Sequence, residues 1–158
     1  MPEVYHHGSF AITTDPERLD VDVIHSYLTR SYWKRGVPKA LVSQSLQNSL
    51  CFGLFEGEAQ VGFARVVSDY TDFAYLCDVF VLETHQGQGL GKWLIQTVVN
   101  HPLLRDLRSF FLATRDAHGL YRHFGFQDVT HPERLMVRIG DRPWYIPDPP
   151  ADSSGQAD

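Results

Sequence analysis

The chain has 158 residues, of which 43% are apolar and 21% charged, and its formal net charge at pH 7 is −5. This length suffices for one globular domain with a sizeable core. The acidic balance and the lack of any Lys/Arg run argue against an extended nucleic-acid-binding surface. No stretch reaches the roughly 18 apolar residues of a membrane span, so no membrane partner is expected. Two cysteines without close spacing, and a start without a signal-peptide pattern, predict a reduced cytoplasmic protein.

The first part of the chain predicts one strand followed by two helices. Residues 9–14 are rich in β-formers and predict a strand. A helix is expected from Asp20, because an aspartate suits the first turn, and a shorter helix is expected over residues 39–48. The connection between these helices carries Tyr32 and Trp33. Both side chains can pack between the helices, or they can bind a cationic ligand on their ring faces.

The rest of the chain predicts alternating strands and helices, and then a polar end. Strands are expected over residues 50–55, 60–67, 73–82 and 109–114, with a helix from the glycine-rich turn to about residue 100 and a short helix at 117–124. Residues 125–129 and 134–139 predict a terminal antiparallel pair. The composition from Asp148 onward predicts disorder, so we expect one domain over residues 1–147 and a tail over residues 148–158.

The strand that ends near residue 82 runs through a glycine-rich turn into a helix. Gly87, Gly89 and Gly91 allow backbone N–H groups to approach a ligand closely, and glycine tolerates the positive φ angles that such a turn needs. A helix N-terminus has unpaired N–H groups and the positive end of the helix dipole, which attract anions. The turn therefore predicts a phosphate-binding site. A purely structural glycine turn is the alternative.

Two common phosphate-binding motifs do not fit this turn, but a third one does. A Walker A loop would need Gly in place of Gln86 and Ser or Thr in place of Trp93. A dinucleotide-binding fingerprint would need Gly in place of Lys92. The pattern Gln/Arg-x-x-Gly-x-Gly/Ala does fit residues 86–91. It resembles the pyrophosphate-binding motif of the GNAT acetyltransferases, which use acetyl-coenzyme A.

A second motif strengthens this resemblance. Ala117-x-x-x-Tyr121-x-x-x-Gly125-Phe126 resembles the A-x-x-x-Y-x-x-x-G-F segment that follows the fifth strand in GNAT enzymes. The two motifs occur in the family's order, with a helix and a strand between them, and the resemblance covers about residues 9–140. It implies a mixed α/β (α+β) fold. Its central sheet would be mostly antiparallel and twisted, flanked by helices, with one parallel strand pair that splays apart.

The resemblance also implies roles for individual residues. The expected cofactor-binding residues are Val81, Gln86, Gly87, Gln88, Gly89, Leu90, Gly91 and Lys92. The backbone of Val81 would pair with the pantetheine arm, and the N–H of Val79 would face the oxyanion. Tyr121 matches the tyrosine that protonates the coenzyme A sulfur. A phenol with an unperturbed pKa near 10 is protonated at neutral pH, as an acid must be.

Of the residues expected to take part in the reaction, the one that accepts the amine proton is the least clearly indicated by the sequence. Strand alternation predicts one shared face for Tyr75, Cys77, Val79 and Val81. Asp78 is the nearest carboxylate and the expected catalytic candidate, provided that a bulge re-aims it. A structural aspartate, a water chain or an already neutral amine are the alternatives. His118 and His123 are further candidates, but they lie five residues apart and face different ways on their helix.

By resemblance, the chain is expected to transfer an acetyl group from acetyl-CoA to a primary amine by direct attack in a ternary complex. The acceptor is expected to be a small-molecule amine or a peptide amine, and Tyr32 and Trp33 are expected to form a wall of its pocket unless they only pack between the helices. No metal is expected, because the eight histidines form no metal-binding spacing. The sequence leaves open whether the chain is a monomer or a homodimer. The alternatives are a catalytically silent acyl-CoA-binding or regulatory module, and a nucleotide-phosphate binder.

Overall fold

A computed structural model describes residues 1–145 and shows one six-stranded sheet flanked by helices. The strands are β1 (Val4–His7), β2 (Phe10–Thr13), β3 (Leu50–Glu56), β4 (Ala59–Ser68), β5 (Phe73–Val81) and β6 (Ser109–Leu112). The helices are α1 (Val21–Leu28), α2 (Lys39–Gln47), α3 (Leu90–Asn100) and α4 (His118–Arg122), and short 3-10 turns lie at Pro16–Arg18, Glu83–His85 and Pro132–Arg134. None of the helices in this range is both long enough and apolar enough to cross a membrane.

The strands lie in sequence order, and every neighbouring pair is antiparallel except β5 and β6. The parallel pairing runs only from Phe73 opposite Ser109 to Leu76 opposite Leu112. Beyond Leu76, the rest of β5 has no partner on β6, so the two strands diverge. The structure therefore confirms the expected mixed α/β class and the splayed parallel pair.

The helices cover the two faces of the sheet. α1 begins where the sequence predicts, because the side chain of Asp20 accepts hydrogen bonds from the N–H groups of Asp22 and Val23. The buried side chains of α1 and α2 pack with Phe63 and Phe80 on one face. α3 packs on the opposite face through its buried side chains Leu90, Leu94, Ile95 and Val98. Each fully buried aliphatic side chain contributes about 1.5–3 kcal/mol of transfer free energy.

The N-terminal prediction was incomplete. The expected strand at residues 9–14 is present as β2, but it is the second arm of a hairpin whose first arm is β1. The hairpin turns at Gly8, which has φ 59°. β1 is an edge strand and most of its residues are exposed. Its sequence therefore lacks the apolar alternation on which a strand prediction depends.

The C-terminal prediction was wrong about secondary structure. Within residues 1–145, no strand follows β6, and residues 125–129 and 134–139 are not paired. Strand propensity alone is insufficient, because an isolated extended segment leaves its backbone groups without partners. The last described residues do pack on the domain: Trp144 lies against the α1–α2 cluster, and the Tyr145 hydroxyl donates to the Tyr32 carbonyl at 3.3 Å. The tail expected over residues 148–158 lies outside the described residues.

Candidate active site

The glycine-rich turn leaves an uncapped helix N-terminus facing open space. Gly87 and Gly89 have φ angles of 81° and 78°, which strain any residue with a Cβ. Gly89 is the N-cap of α3 and therefore brings no side-chain acceptor to the first-turn N–H groups. A Cβ added at Gly87, Gly89 or Gly91 would meet no protein atom within 4 Å. This arrangement fits a bound anion such as a pyrophosphate.

The other residues expected to bind the cofactor lie in one continuous run from the strand end to the first turn of α3. The Gln86 side-chain amide donates to the Val81 carbonyl at 2.9 Å and so ties the turn to β5. The Gln88 amide donates to the His85 carbonyl at 3.3 Å. Leu90 is buried beneath the helix, and Lys92 is exposed beside the open N-terminus. The structure thus brings together the residues that the motif indicated.

A bulge interrupts β5 next to the splay. Phe63 pairs with Phe80 and Arg65 pairs with Cys77, so Ala64 alone lies opposite two residues, Asp78 and Val79. Asp78 has φ 56°, which is uncommon for a residue with a side chain. Neither Asp78 nor Val79 has a ladder partner on β4 or β6. The backbone of Val79 is therefore available at the point where the strands diverge.

This bulge overturns the predicted strand alternation. Val79 and Val81 pack against the same core cluster as Leu76, whereas Phe80 belongs to the cluster on the α1–α2 face. The extra residue shifts every later side chain of β5 to the opposite face. Tyr75 and Cys77, which precede the bulge, therefore do not share a face with Val79. Only the register against β4 reveals this change.

The carboxylate of Asp78 is buried and bound by three donors. Its side chain has 0% exposure, and its Oδ2 accepts hydrogen bonds from Lys34 Nζ at 2.7 Å and Arg65 Nε at 2.8 Å. Its Oδ1 accepts from Trp33 Nε1 at 3.1 Å. Burial alone would raise the pKa of this carboxyl, but the charges of Lys34 and Arg65 outweigh it and lower the pKa. Because the two cations hold the carboxylate as an anion, Asp78 fits a structural role better than the role of proton acceptor.

A cavity of about 320 Å³ opens beside the bulge. It is lined by Tyr27, Arg30, Ser31, Tyr32, Trp33, Val79 and Asp116. The structure therefore brings Tyr32 and Trp33 together with Val79, as expected for an acceptor pocket. Trp33 is fixed by its bond to Asp78, and its ring meets the ring of Tyr32 edge-on at 5.0 Å. The pocket is lined by aromatic rings and charged groups, which suits a cationic organic ligand.

Asp116 is a pocket residue that the sequence did not indicate. Its position before the short helix predicts an N-cap, but the N-cap of α4 is Ala117, without a side-chain cap. Asp116 is instead exposed at the pocket wall, and its carboxylate accepts no hydrogen bond from any residue within 1–145. It lies near enough to Tyr27 and Tyr121 to contribute to raising the pKa of both hydroxyls. The only sequence signal was its position five residues before Tyr121.

Tyr121 lies on α4, and its side chain is part of the core cluster. Gly125 follows the helix with φ 88°, and the Phe126 ring packs against the Tyr121 ring at 5.9 Å, which explains the Gly-Phe end of the motif. Burial, with smaller contributions from Tyr32 and Asp116, raises the pKa of Tyr121 to about 12. The hydroxyl therefore stays protonated at neutral pH. It has no hydrogen-bond partner among the described residues.

Comparison with known proteins places this geometry in a family. A sequence model of the acetyltransferase (GNAT) family matches residues 26–126. A Gibberella zeae protein named as an acetyltransferase is 31% identical over 150 residues, which cover 80% of this chain and 84% of that protein. The structure of a GNAT-family protein from Xanthomonas campestris pv. campestris is 46% identical and superposes with a TM-score of 0.82, covering 85% of this chain and 96% of the other. Mouse (Mus musculus) thialysine N-epsilon-acetyltransferase is 32% identical over 89 residues, about half of each chain (51% and 52%).

Proposed function

Because this chain belongs to the GNAT family of acetyltransferases, which use acetyl-CoA, we propose that it is an N-acetyltransferase that acetylates a primary amine by direct attack in a ternary complex. The observation that carries this proposal is the meeting of three features at the β5–β6 splay. An open strand edge, an uncapped helix N-terminus and a lined pocket converge there. No group of His, Cys, Asp or Glu within residues 1–145 could hold a metal ion, and the proposed reaction needs none.

The proposed acetyl-CoA site follows the splay. The N–H groups of the turn and of the first turn of α3, over residues 87–92, bind the pyrophosphate, supported by the charge of Lys92. The open edge of β5 at Val79 and Val81 pairs with the extended pantetheine arm in the manner of an added strand. The thioester then lies beside the bulge, where Val79 also lines the acceptor pocket.

The proposed reaction forms one C–N bond and breaks one C–S bond. The neutral amine attacks the thioester carbonyl, and the Val79 N–H donates to the developing oxyanion. As the C–S bond breaks, its electron pair stays on sulfur, and the Tyr121 hydroxyl gives its proton to the thiolate. A pKa of about 12 keeps the Tyr121 hydroxyl protonated at neutral pH, so that it has a proton to donate. After the attack the nitrogen is positively charged, and it loses one proton to solvent to leave the neutral amide. Tyr121 regains its proton from solvent before the next cycle.

We assign different tasks to the two carboxylates of the site. Asp78 holds Trp33 in the pocket wall, while its other oxygen binds Lys34, and it acts on the reaction through the position of Trp33. Asp116 has no bonded partner in the described chain and faces the pocket, so it binds the acceptor ammonium and receives the proton that the amine must lose. This assignment replaces the sequence-based candidate, because a carboxylate held by two cations is a poor proton acceptor.

The acceptor is proposed to be a cationic primary amine of a small molecule or a peptide. The aromatic walls and Asp116 support this proposal, as does the amine acceptor in the name of the mouse relative. The compartment is proposed to be the cytoplasm. Cys51 and Cys77 are both free thiols, as expected in a reducing environment.

The proposal is tested by release of free thiol from acetyl-CoA with a panel of amines, polyamines, aminoglycosides and peptides. Turnover on at least one amine is expected, with the acetylated product confirmed by mass spectrometry. Calorimetric binding of CoA without turnover on any acceptor would instead support the silent acyl-CoA-binding module. A melting temperature that rises with ATP but not with acetyl-CoA would support a nucleotide-phosphate binder.

A further inference from the structure

Arg30 follows α1 and lines the pocket that is proposed to bind the acceptor. Its guanidinium lies over the ring of Tyr27, with the Cζ atom 4.5 Å from the ring centroid. The Tyr27 ring in turn stacks on the Phe80 ring, with their centroids 4.1 Å apart and an angle of 9° between their planes. Phe80 is buried in the cluster beneath α1 and α2. The arginine is therefore the outer member of a stack that begins in the core.

Glu83, in the 3-10 turn after β5, holds the same guanidinium from one side. The Nη1 and Nη2 atoms of Arg30 donate to the two carboxylate oxygens of Glu83 at 2.5 and 3.0 Å. A guanidinium has five N–H donors, so this pair leaves a second fork, formed by Nε–H and the other N–H of Nη2. Within residues 1–145, no acceptor is bound to that fork. Arg30 therefore brings two unused donors to the pocket wall.

The open fork of Arg30 is suited to a carboxylate. An arginine that binds a ligand normally loses rotamer freedom, but here the ring and the ion pair already hold the guanidinium. The planar fork matches the two oxygens of a carboxylate, which can accept both N–H groups at once. A phosphate monoester would fit the fork as well, but its second negative charge is repelled more strongly by the neighbouring Glu83.

The same pocket has an anionic group on a different element. Asp116 lies between β6 and α4, and its carboxylate accepts no hydrogen bond from the residues that the structure describes. The lining therefore offers one cationic donor group and one anionic acceptor. A cavity of about 320 Å³ is near the lower end of the range of roughly 300–1,000 Å³ for small-molecule sites. A compact ligand that complements both groups carries a cation and an anion.

We propose that the amine acceptor also carries a carboxylate, as a free amino acid does, and that Arg30 determines this specificity. The inference rests on the proposed acetyl transfer and names the acceptor class of the same pocket. The carboxylate accepts two hydrogen bonds from the open fork of Arg30, and the ammonium group binds Asp116 until it loses its proton. Binding at both ends fixes the orientation of the amine, whereas a simple amine is held at one end only.

The experiment compares amino acids with the amines that remain when their carboxylate is removed. The matched pairs are L-lysine and cadaverine, L-ornithine and putrescine, and L-phenylalanine and phenethylamine. Free-thiol release from acetyl-CoA gives kcat/KM for each compound. In at least one pair we expect kcat/KM to favour the amino acid by roughly 10-fold or more, because charge-assisted hydrogen bonds are lost without the carboxylate. The methyl ester of that amino acid, which lacks the negative charge, should lose the same advantage.

A matched pair of variants assigns the preference to Arg30. Arg30→Met keeps a side chain that can pack on Tyr27 but has no N–H donors, so it should abolish the preference for the amino acid. Arg18→Met is the control. Arg18 likewise lies over an aromatic ring, that of Phe55 at 4.8 Å, and pairs with Glu58 at 3.6 Å, but it is not part of the pocket lining. The control should keep the preference. Unchanged circular dichroism of Arg30→Met excludes unfolding as the cause.

The outcomes separate this inference from the proposed function. Turnover of simple amines without preference for any of the amino acids would leave acetyl transfer in place and overturn the inference. A preference that survives in Arg30→Met would overturn it as well. If no amine is acetylated, the proposed enzyme fails, and calorimetric titration of the same amino acids into the CoA-bound protein decides. Binding that Arg30→Met weakens would support the carboxylate site, whereas equal or absent binding would refute it.

Discussion

Replacing Asp78 by Asn distinguishes an anchoring carboxylate from a catalytic base. The substitution keeps the shape of the side chain but removes the charge that holds Lys34 and Arg65 at 2.7 and 2.8 Å. These two cations have only 20% and 12% of their side chains exposed, so water replaces the lost partner poorly. Removing one member of a buried ion pair costs about 3–5 kcal/mol. That is a large part of the roughly 5–15 kcal/mol that stabilises a domain.

The expected cost corresponds to a readily measured change in melting temperature. A domain of this size loses roughly 2–4 °C per kcal/mol, so Asp78→Asn should melt about 6–20 °C below the wild type. Urea denaturation measures the difference in the free energy of unfolding between the variant and the wild type. Asp106→Asn is the matched control, because Asp106 is 85% exposed in its pair with Arg105 and should contribute little. The Michaelis constant for the amine should also rise, since Trp33 loses part of its anchor.

The stability difference should depend on pH in one direction. The charges of Lys34 and Arg65 outweigh burial, so the pKa of Asp78 in the folded protein lies below its ordinary value of 3.8. A carboxyl with a lowered folded pKa stabilises the protein fully above its unfolded pKa, and this contribution is lost as the pH falls through the folded pKa. The difference between wild type and variant should therefore be constant above about pH 6 and shrink below about pH 4.

One combination of results would refute this reasoning. If Asp78→Asn melts within about 2 °C of the wild type but loses kcat by a factor of about 100 or more, Asp78 is the general base. A pH–rate profile that loses its acidic limb in the variant would support the same conclusion.

Three further predictions concern the active site. Tyr121→Phe should lower kcat by roughly 10²–10⁴-fold and leave the calorimetric affinity for acetyl-CoA unchanged, because only the proton donor is removed. Gly91→Ala should stabilise the fold by about 0.5–1 kcal/mol, since Gly91 is within α3 with no positive φ, and yet weaken acetyl-CoA binding, because its Cβ projects into the space left for the pyrophosphate. Asp116→Asn should raise the Michaelis constant for the amine and lower kcat without affecting the affinity for acetyl-CoA.

Controls and contradicting results follow from the same structure. Gly140→Ala matches Gly91→Ala, because both glycines have open space and no positive φ, and only Gly91 lies in the proposed binding site. Equal acetyl-CoA affinity of Gly91→Ala and wild type would place the pyrophosphate elsewhere. A wild-type kcat in Tyr121→Phe would remove the tyrosine from the mechanism. If Asp116→Asn behaves as the wild type with every acceptor, the proton leaves by another route.

Local signals explain what the sequence predicted well. The start of α1 depends on one aspartate that bonds to N–H groups two and three residues ahead. The glycine-rich turn depends on positive φ at Gly87 and Gly89, and the second motif on Gly125 and the ring contact of Phe126. Each of these requirements acts within a few residues of the chain. A pattern of residue types therefore reveals it without knowledge of the fold.

Contacts between distant segments explain what the sequence did not reveal. The bulge in β5 follows from its register against β4, so the face of Val79 could not be read from alternation. Asp116 meets Tyr32 and Trp33 in one pocket only after the α1–α2 connection folds over the splay. The apolar segment at 135–139 has strand propensity, but a strand also needs a partner, and the described chain supplies none.

The sequence by itself determined the family, and it indicated the turn proposed to bind phosphate and the tyrosine proposed as the acid, because each has a short motif with its own backbone requirement. The tertiary structure alone decided that the Asp78 carboxylate is bound by Lys34, Arg65 and Trp33, whereas Asp116 lines the proposed acceptor pocket. Arg65 and Trp33 lie 13 and 45 residues from Asp78 in the chain, and Lys34 lies 44 residues away. The charge state of a buried group depends on the neighbours that folding brings to it, and no local pattern specifies them.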